Sequence, residues 1–528
     1  MRYSKQFERT ATFGMNAAVA TSHPIASQVG LQMLRAGGNA VDAAIAASAV
    51  LCVVEPGMTG IGGDCFVLYA PAGKGRVVAL NGSGTAPAAA SLDRLQALGI
   101  AKIGPESPHA VTIPGAIDSW CRLAADHGTK GIDALLAPAI ALAEDGHPVH
   151  QRVAFDWQNE TERLRASPAA TAVFLPGGRT PRAGDVFRQP RLAATLRAIA
   201  AGGRAAFYEG AIAAEMTAVL RGLGGLHTVE EFAGYRCEYV EPIETLYKGH
   251  RILECPPNGQ GLAALMLLNV LARCGLDDGA LSEADRIHFQ AEAAKLVYHQ
   301  RDRLIADPRQ VAVPVAEMLS DAWADRLRGK IRPDRAGPAP TWPEPAHKDT
   351  VYLCVVDRDG NAISFINSVF DSWGSTIVAP QSGVLFHNRG QSFRLQADSP
   401  NVIAGGKRPL HTIIPGMAMK GDLAAAPFGV MGGQYQAAGH AALLSNVLDR
   451  GMDVQQAINH PRSFAFDGTL RLEPLIDERT AADLERRGHV LDRSDRPMGG
   501  AQSIWIDRRR GVLIAGSDPR KDGSALAY

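Results

Sequence analysis

Apolar and polar residues near the N-terminus alternate at helical spacing. Residues 25–38 (IASQVGLQMLRAGG) repeat apolar side chains every three to four positions and end in a glycine pair, a common helix stop. Asn39 then offers a helix cap, and residues 39–51 continue with alanine, valine and isoleucine. The pattern predicts two consecutive helices within a first block that is mostly helical and runs to about residue 330.

The pattern changes after a proline-rich stretch at residues 331–349, which can form neither a helix nor a central strand. Residues 352–356 and 362–369 are strand-like, and the Asp-Gly between them predicts a hairpin. The second block continues with predicted strands at 417–419, 429–431 and 503–506 and predicted helices at 436–450 and 480–488. Helices against antiparallel strands predict an α+β layered fold whose core is shared by both blocks.

The composition narrows the class of protein. Of the 528 residues 46% are hydrophobic, which is enough for a large core, and 54 basic residues balance 54 acidic ones. This balance leaves no basic field for nucleic acid or anionic lipid. We expect neither as a partner, and no membrane span, because no 18-residue stretch is uninterruptedly apolar.

The seven cysteines are scattered, odd in number and never in a CxxC pair, which favours buried free thiols. The first ten residues show no apolar signal segment. These features predict a soluble protein in the reducing cytoplasm.

Thr350 stands at the boundary between the proline-rich stretch and a strand. If the chain were cut before it, one residue would carry both a hydroxyl and a free α-amine. N-terminal nucleophile hydrolases use that pairing, with the amine as base for its own side chain. The α-amine pKa of roughly 7.7–8.0 lies close to working pH. By position alone, Thr350 is equally compatible with an ordinary threonine at the start of a strand.

Ordered fragments over nearly the whole chain give a resemblance that decides between these interpretations. They are residues 54–63 (VEPGMTGIGG), 138–146 (PAIALAEDG), 207–210 (FYEG), 349–352 (DTVY), 355–361 (VVDRDGN), 409–410 (PL), 432–433 (GG) and 517–523 (SDPRKDG). With them the chain resembles the γ-glutamyltranspeptidase family.

The resemblance implies a four-layer αββα sandwich of the N-terminal nucleophile hydrolase class. It also implies a proenzyme that cuts itself between Asp349 and Thr350. The large fragment, 1–349, and the small fragment, 350–528, would stay associated around one core. Further dimerisation is left open.

The same resemblance assigns a catalytic group around Thr350. Gly432 and Gly433 match the oxyanion-hole glycines, although a simple tight turn would also contain them. Ser368 takes the place of a threonine that supports the nucleophile, with a solvent-facing strand serine as the alternative. Its neighbour Asn367 is either a substrate contact or a strand polar residue.

The substrate pocket departs from the transpeptidase pattern. Where transpeptidases have an arginine motif that binds the α-carboxylate, this chain reads Ser83-Gly-Thr-Ala-Pro87. Where they have a pair of serines, it has His411-Thr412. In transpeptidases an asparagine, a glutamine and an aspartate hold the α-amine. At the corresponding positions this chain has Phe370, Arg389 and Ser392. This chain therefore lacks the acidic group where Ser392 stands and gains a cation, Arg389. Both changes disfavour binding of an ammonium group.

Arginine recognises carboxylates in bidentate geometry, and Phe370 would shrink and dry the pocket. A small amide bearing a carboxylate but no ammonium fits this change, and the family includes oxamate amidohydrolases. We therefore expect hydrolysis of oxamate to oxalate and ammonia, in purine-nitrogen metabolism. Arg389 in a structural ion pair and His411 in the core are the alternatives.

Two other functions stay open: a γ-glutamyl hydrolase or transferase, and an uncleaved binding protein. No metal or cofactor is expected. The chain has no HExxH motif and no GxSxG elbow, and Cys65 breaks the glycine fingerprint for dinucleotides.

Overall fold

A computed structural model describes residues 9–338, 350–493, 495 and 497–528. Its helices are α1 (Pro24–Arg35), α2 (Ala40–Val54), α3 (Leu92–Ala97), α4 (Ala116–His127), α5 (Ile132–Asp145), α6 (Gln151–Asn159), α7 (Thr161–Arg165), α8 (Pro168–Phe174), α9 (Pro190–Tyr208), α10 (Ala211–Gly222), α11 (Val229–Gly234), α12 (Gly261–Leu271), α13 (Glu283–Leu304), α14 (Val315–Met318), α15 (Asp321–Arg328), α16 (Tyr435–Leu448), α17 (Val454–Asn459) and α18 (Glu478–Arg486).

The strands are β1 (Thr12–Gly14), β2 (Ala18–Thr21), β3 (Asp64–Ala70), β4 (Val78–Gly82), β5 (His147–Pro148), β6 (Val186–Phe187), β7 (Glu238–Val240), β8 (Ile243–Tyr247), β9 (His250–Glu254), β10 (Val351–Val356), β11 (Ala362–Ser368), β12 (Val378–Ala379), β13 (Val384–Leu385), β14 (Gly416–Lys420), β15 (Leu423–Met431), β16 (Ser463–Phe466), β17 (Thr469–Leu472), β18 (Leu491–Asp492), β19 (Gly500–Asp507), β20 (Val512–Ser517) and β21 (Ser524–Ala527).

Two seven-stranded sheets form the centre of the molecule. The first has the order β1-β20-β19-β15-β14-β9-β8, and the second has the order β21-β2-β10-β11-β3-β4-β7. Each sheet takes strands from before and after residue 350. Strands from the two blocks therefore lie side by side in both sheets.

Side-chain alternation on β10 shows how the layers pack. Leu353 and Val355 belong to a core cluster with α2, whereas Tyr352 and Cys354 belong to a cluster between the two sheets. Successive strand residues point to opposite faces, so a strand that is apolar at every position is buried on both. Helices α1 and α2 cover the second sheet, and α12 and α16 cover the first. The four-layer αββα fold predicted by the resemblance is what the structure shows.

Local signals account for the predicted helices. Asn39 caps α2 by accepting hydrogen bonds from Val41 N and Asp42 N, and the Asp42 carboxylate accepts one from Asn39 N at 2.8 Å. Helix α1 ends at Arg35, and Gly37 follows with φ +83°, a conformation that favours glycine. The predicted hairpin is β10–β11, paired antiparallel. None of the helices in the described ranges is long and apolar enough to cross a membrane.

Candidate active site

Thr350 lies directly before β10, at one end of the space between the sheets. Its hydroxyl donates to Ser368 Oγ at 2.5 Å, and Ser368 Oγ also accepts from Phe370 N at 2.9 Å. Both hydroxyls are fully buried. The residue predicted as nucleophile and the residue predicted to support it are thus in direct contact.

Asp64, the first residue of β3, continues the same row of side chains. It pairs with Ser368 across the β11–β3 ladder, as Val351 pairs with Asn367 across β10–β11. The row therefore runs Thr350, Ser368, Asp64 over three adjacent strands. Neighbouring strands are about 4.8 Å apart, so the carboxylate lies roughly 10 Å from the nucleophile's strand.

Asp64 is the centre of a buried group of charged and titratable side chains. Its Oδ2 accepts from His411 Nε2 at 2.9 Å, and His387 Nδ1 and Arg389 Nε approach the same oxygen at 3.3 and 3.5 Å. Its Oδ1 accepts from Gly84 N at 3.2 Å. All four side chains are fully buried. We call Asp64, His387, Arg389 and His411 the Asp64 cluster.

Arg389 is held on three sides but keeps a free donor. Its Nη1 donates to Thr412 Oγ1 at 2.9 Å, and its guanidinium lies 4.1 Å from the centre of the Phe370 ring. Neither Nη2 nor Nε makes a hydrogen bond to any described residue. A buried donor without a partner is costly unless a ligand satisfies it.

The charges in the cluster follow from burial and from these partners. Burial favours the neutral acid at Asp64, but His387 and His411 outweigh it and hold the pKa of Asp64 well below its usual range. Burial, then the charge of Arg389, lowers the pKa of His411 to about 3. Burial lowers the pKa of Arg389 to about 10, so it stays charged at neutral pH. The cluster holds an ionised acid, a guanidinium and a neutral His411.

Gly432 and Gly433 form a turn at the same end of the sandwich as Thr350. Ser364 Oγ donates to Phe428 O at 3.2 Å, and the next residue, Gly429, lies against the ring of Tyr352, so β15 runs toward the end of β10 where Thr350 lies. Gly432 has φ +118° and Gly433 has φ +54°. Neither backbone N–H donates a hydrogen bond to another described residue. Such N–H groups suit a developing oxyanion.

Gln260 connects this turn to the Asp64 cluster. Its Nε2 donates to Gly433 O at 3.0 Å and to Thr412 O at 2.7 Å. Arg301 Nη1 donates to Gln260 Oε1 at 2.8 Å, which fixes the amide orientation. The glycine turn and the arginine's partner Thr412 are therefore held by one buried side chain.

Most of the site residues expected from the sequence come together. Arg389 and His411 contact Asp64, and Phe370 and Thr412 contact Arg389. His411 donates to the Asp64 carboxylate and so positions it. Asn367 is separate: its Nδ2 donates to Thr59 Oγ1 at 2.8 Å and to Gly60 O at 3.1 Å, on the opposite face of β11 from Ser368.

The expected processing site is only half visible, because Asp349 lies outside the described residues. Cleavage between Asp349 and Thr350 therefore stays a prediction. What the structure adds is the burial of Thr350 itself.

Sequence reasoning missed Asp64, His387 and Gln260. It placed the acidic group of the pocket at the family position, where Ser392 stands, and concluded that the acid was lost. A buried acid is present elsewhere, at the start of β3, whereas Ser392 lies in a short 3-10 helix. The available signal was a lone acidic residue at the start of the otherwise apolar run Cys65–Ala70.

One group of described residues outside this site has metal-ligand character: His288, Glu292 and His489, all buried. Its atoms already bond one another and their neighbours, with His288 Nδ1 2.8 Å from His489 Nε2 and Lys295 donating to Glu292 at 2.6 Å. The expectation of a metal-free reaction at Thr350 stays a prediction.

Comparison with known proteins decides the family. The sequence model described as Gamma-glutamyltranspeptidase matches residues 26–528. This chain belongs to the γ-glutamyltranspeptidase family. It is therefore related to enzymes of the N-terminal nucleophile hydrolase class.

Three relatives illustrate the range of this γ-glutamyltranspeptidase family. The glutathione hydrolase-like YwrD proenzyme of Bacillus subtilis (strain 168) is 34% identical, over 98% of this chain and 99% of the relative. The oxamate amidohydrolase proenzyme of Klebsiella pneumoniae is also 34% identical, with the same coverage. The crystal structure of a cephalosporin acylase from Bacillus halodurans superposes with a TM-score of 0.93 at 38% identity, covering 100% of this chain and 98% of the other.

Proposed function

We propose that this chain is a self-processing amidohydrolase in which Thr350 cleaves a small amide that carries a carboxylate. Oxamate is the first candidate. The observation that carries the proposal is Arg389, fully buried in the Asp64 cluster with Nη2 unpaired. A carboxylate would satisfy that donor with a charge-assisted hydrogen bond.

Processing uses the same hydroxyl as turnover. Thr350 Oγ attacks the carbonyl carbon of Asp349, the peptide C–N bond breaks, and an ester to Thr350 Oγ forms as the α-amine is released. Water hydrolyses the ester, which frees the Asp349 carboxylate and the Thr350 hydroxyl. Ser368, in contact with Thr350 Oγ before cleavage, orients it.

Turnover then uses one group that processing has created, the free α-amine of Thr350. The α-amine of Thr350 takes the hydroxyl proton, Oγ attacks the amide carbon, and the amine returns the proton as ammonia leaves. Water, activated by the same amine, hydrolyses the acyl-enzyme and releases the acid. Gly432 N and Gly433 N stabilise the oxyanion in both steps.

The charges of the pocket favour an anion over an ammonium. The one carboxylate in the cluster, Asp64, already receives hydrogen bonds from His411 and Gly84 and the charge of Arg389. A γ-glutamyl ammonium would have to displace these groups and would meet the guanidinium. Like charges this close in a buried site cost several kcal/mol.

A second candidate is an acylase or a γ-glutamyl hydrolase. The 0.93 TM-score to the cephalosporin acylase and the 34% identity to a glutathione hydrolase-like protein favour it. Both candidates share the Thr350 chemistry and differ in the acyl group that Arg389 must accommodate.

A denaturing gel tests the shared chemistry. We expect two fragments with Thr350 at the N-terminus of the smaller, both retained together in a native purification. A single 56.0 kDa band would mean an uncleaved binding protein and would remove the catalytic proposal.

Ammonia release from a ladder of monoamides separates the two candidates. Oxamate, malonamate, succinamate and glutaramate place the carboxylate progressively farther from the amide, so the best substrate measures the distance from Thr350 to Arg389. A γ-glutamyl anilide serves as the matched ammonium-bearing probe. The γ-glutamyl group carries an α-ammonium beside its α-carboxylate, so turnover of the anilide alone would contradict the assignment of a small amide without an ammonium.

A further inference from the structure

His387 is the member of the Asp64 cluster that neither the sequence nor the family comparison assigns a role. It follows β13 and lies two residues before Arg389, fully buried. Its Nε2 lies 2.9 Å from the backbone oxygen of Thr112. Its Nδ1 lies 3.3 Å from Asp64 Oδ2 and makes no hydrogen bond to the described residues.

These two contacts constrain the protons on the ring. A backbone oxygen can only accept, so Nε2 carries a hydrogen. A neutral ring would then place the lone pair of Nδ1 3.3 Å from the ionised oxygen of Asp64. A second proton on Nδ1 converts that repulsion into an ion pair.

His411 provides an internal contrast. Its Nε2 donates to Asp64, while its Nδ1 accepts from Ile413 N at 3.4 Å, so both nitrogens are satisfied in the neutral ring. Burial and the charge of Arg389 lower its pKa to about 3. The two histidines on one carboxylate therefore differ in protonation for a geometric reason.

We propose that His387 is an imidazolium held between Asp64 and Thr112, and that its proton makes the pocket around Arg389 a binding site for one carboxylate. The proposal rests on the proposed function for the identity of the substrate. His387 acts here as a specificity-determining residue, because it touches Asp64 and not the reacting atoms.

Charge counting explains why the proton matters. Asp64 carries one negative charge, and Arg389 and His387 carry one positive charge each, which leaves the cluster with a net positive charge. The remaining groups that face His387 are His411 and, on its outer side, His227, whose pKa burial lowers to about 4. Neither contributes charge at neutral pH, so one bound carboxylate neutralises the four residues of the cluster. Asp371, whose charge also acts on Arg389, lies outside the cluster and accepts from Asn388 Nδ2 at 3.0 Å and from Gln391 Nε2 at 2.7 Å. If His387 lost its proton, the same carboxylate would leave the cluster with a net negative charge.

The test is the binding of oxalate, a fully ionised anion between pH 6 and 8, to the processed protein. Titration calorimetry in two buffers of different ionisation enthalpy measures both Kd and the number of protons taken up. We expect Kd to rise with pH, with proton uptake on binding that grows as the pH rises.

His387→Gln keeps a donor toward Thr112 O and removes the titration. We expect weaker oxalate binding with proton uptake much reduced. Asp64→Asn should likewise reduce proton uptake, because the acid that holds the proton is gone. His227→Gln is the matched control: it removes another buried histidine whose Nε2 lies 2.9 Å from a backbone oxygen, that of Val111, and should keep the wild-type pH dependence.

The α-amine of Thr350 also titrates in this range, so the variant decides which group binds the proton. Full proton uptake persisting in His387→Gln would overturn the proposal. Oxalate binding with His387-dependent uptake, but without ammonia release from oxamate, would remove the proposed function and leave the anion site. Oxamate turnover together with a Kd for oxalate that does not change with pH would overturn the role of His387 and leave the proposed function in place.

Discussion

The Asp64 cluster and the buried ion cluster near the C-terminus look alike in composition but differ in how completely they are satisfied. In the second, Arg520 Nε donates to Glu473 at 2.7 Å, Arg520 also pairs with Asp518, and Arg462 donates to Asp518 and to Met498 O. None of these residues has a buried side-chain atom without a partner. The Asp64 cluster leaves donor atoms of Arg389 unpaired.

This difference separates a structural cluster from a binding cluster. Both depress the pKa of their aspartate against the effect of burial, Asp64 through histidines and Asp518 through Arg462 and Arg520. Ionised, buried and cation-paired aspartates therefore do not by themselves mark a site. The unpaired guanidinium donors distinguish the Asp64 cluster, because a charged N–H group forms its strongest hydrogen bonds with an anionic acceptor.

The largest expected effect is at Thr350, the proposed nucleophile that attacks the substrate held by the Asp64 cluster. Thr350→Ala should give an intact 56.0 kDa chain, with activity lower by on the order of 10⁴-fold or more. Intact mass and ammonia release measure both. A cleaved Thr350→Ala protein would show that another group performs the processing.

Arg520→Gln should break the structural cluster. Removing one partner of a buried ion pair costs about 3–5 kcal/mol of unfolding free energy, because Glu473 is left uncompensated. Urea denaturation of the processed protein measures it. Folded Arg520→Gln protein should keep its KM for oxamate within about threefold, and a large rise in KM would erase the distinction between the clusters.

Gly432→Ala tests the turn beside Thr350. A Cβ on Gly432 would lie 2.8 Å from Gly499 Cα, at φ +118°, so the N–H must move. We expect kcat to fall about 10²- to 10³-fold with KM little changed. An alanine variant with normal kcat would remove Gly432 from the oxyanion site.

Arg389→Gln tests the binding cluster directly. Loss of a charge-assisted hydrogen bond worth about 1.5–3 kcal/mol should raise KM for oxamate roughly 10- to 150-fold. Processing should be preserved, since Thr350 and Ser368 are untouched. Equal damage to cleavage and to KM on the same gel and assay would make Arg389 structural, like Arg520.

The smallest effect concerns Glu55, a buried carboxylate whose one direct hydrogen bond comes from Ser22 Oγ. Burial raises its pKa from 4.5 to about 7. The native state then binds more protons than the unfolded state across that window, so Glu55's contribution to stability is present at low pH and is lost as the pH rises. Wild type should lose about 1 kcal/mol of stability between pH 5 and 6 from this group. Glu55→Gln should abolish that slope in urea titrations, and an unchanged slope would show that Glu55 is ionised in the fold.

The fold and half of the site could be predicted from sequence. The strands at β10 and β11 follow from dense apolar runs around an Asp-Gly turn, and the αββα layers from the family fragments. The alternation of strand residues also separates Ser368 from Asn367, because adjacent residues on one strand cannot share a face. That reasoning was available from the sequence and would have excluded Asn367 from the nucleophile's side.

Asp64 and His387 could not be predicted in the same way. Asp64 contacts His387 and His411 across more than 300 residues of sequence, and no local pattern encodes that contact. The family positions identified Arg389. They placed the acidic group at the position of Ser392, where this chain has none, and so missed Asp64. Only the strand register, which sets Asp64 beside Ser368, brings the acid to the arginine.

The most direct test of the binding cluster compares oxamate with oxamide, in which a neutral carboxamide replaces the carboxylate. Ammonia release by the processed wild-type protein should give a kcat/KM for oxamate about 10- to 150-fold above that for oxamide, and the ratio should approach one in Arg389→Gln. Equal rates for the two amides in the wild-type protein would contradict the assignment of Arg389 as the site of the substrate carboxylate.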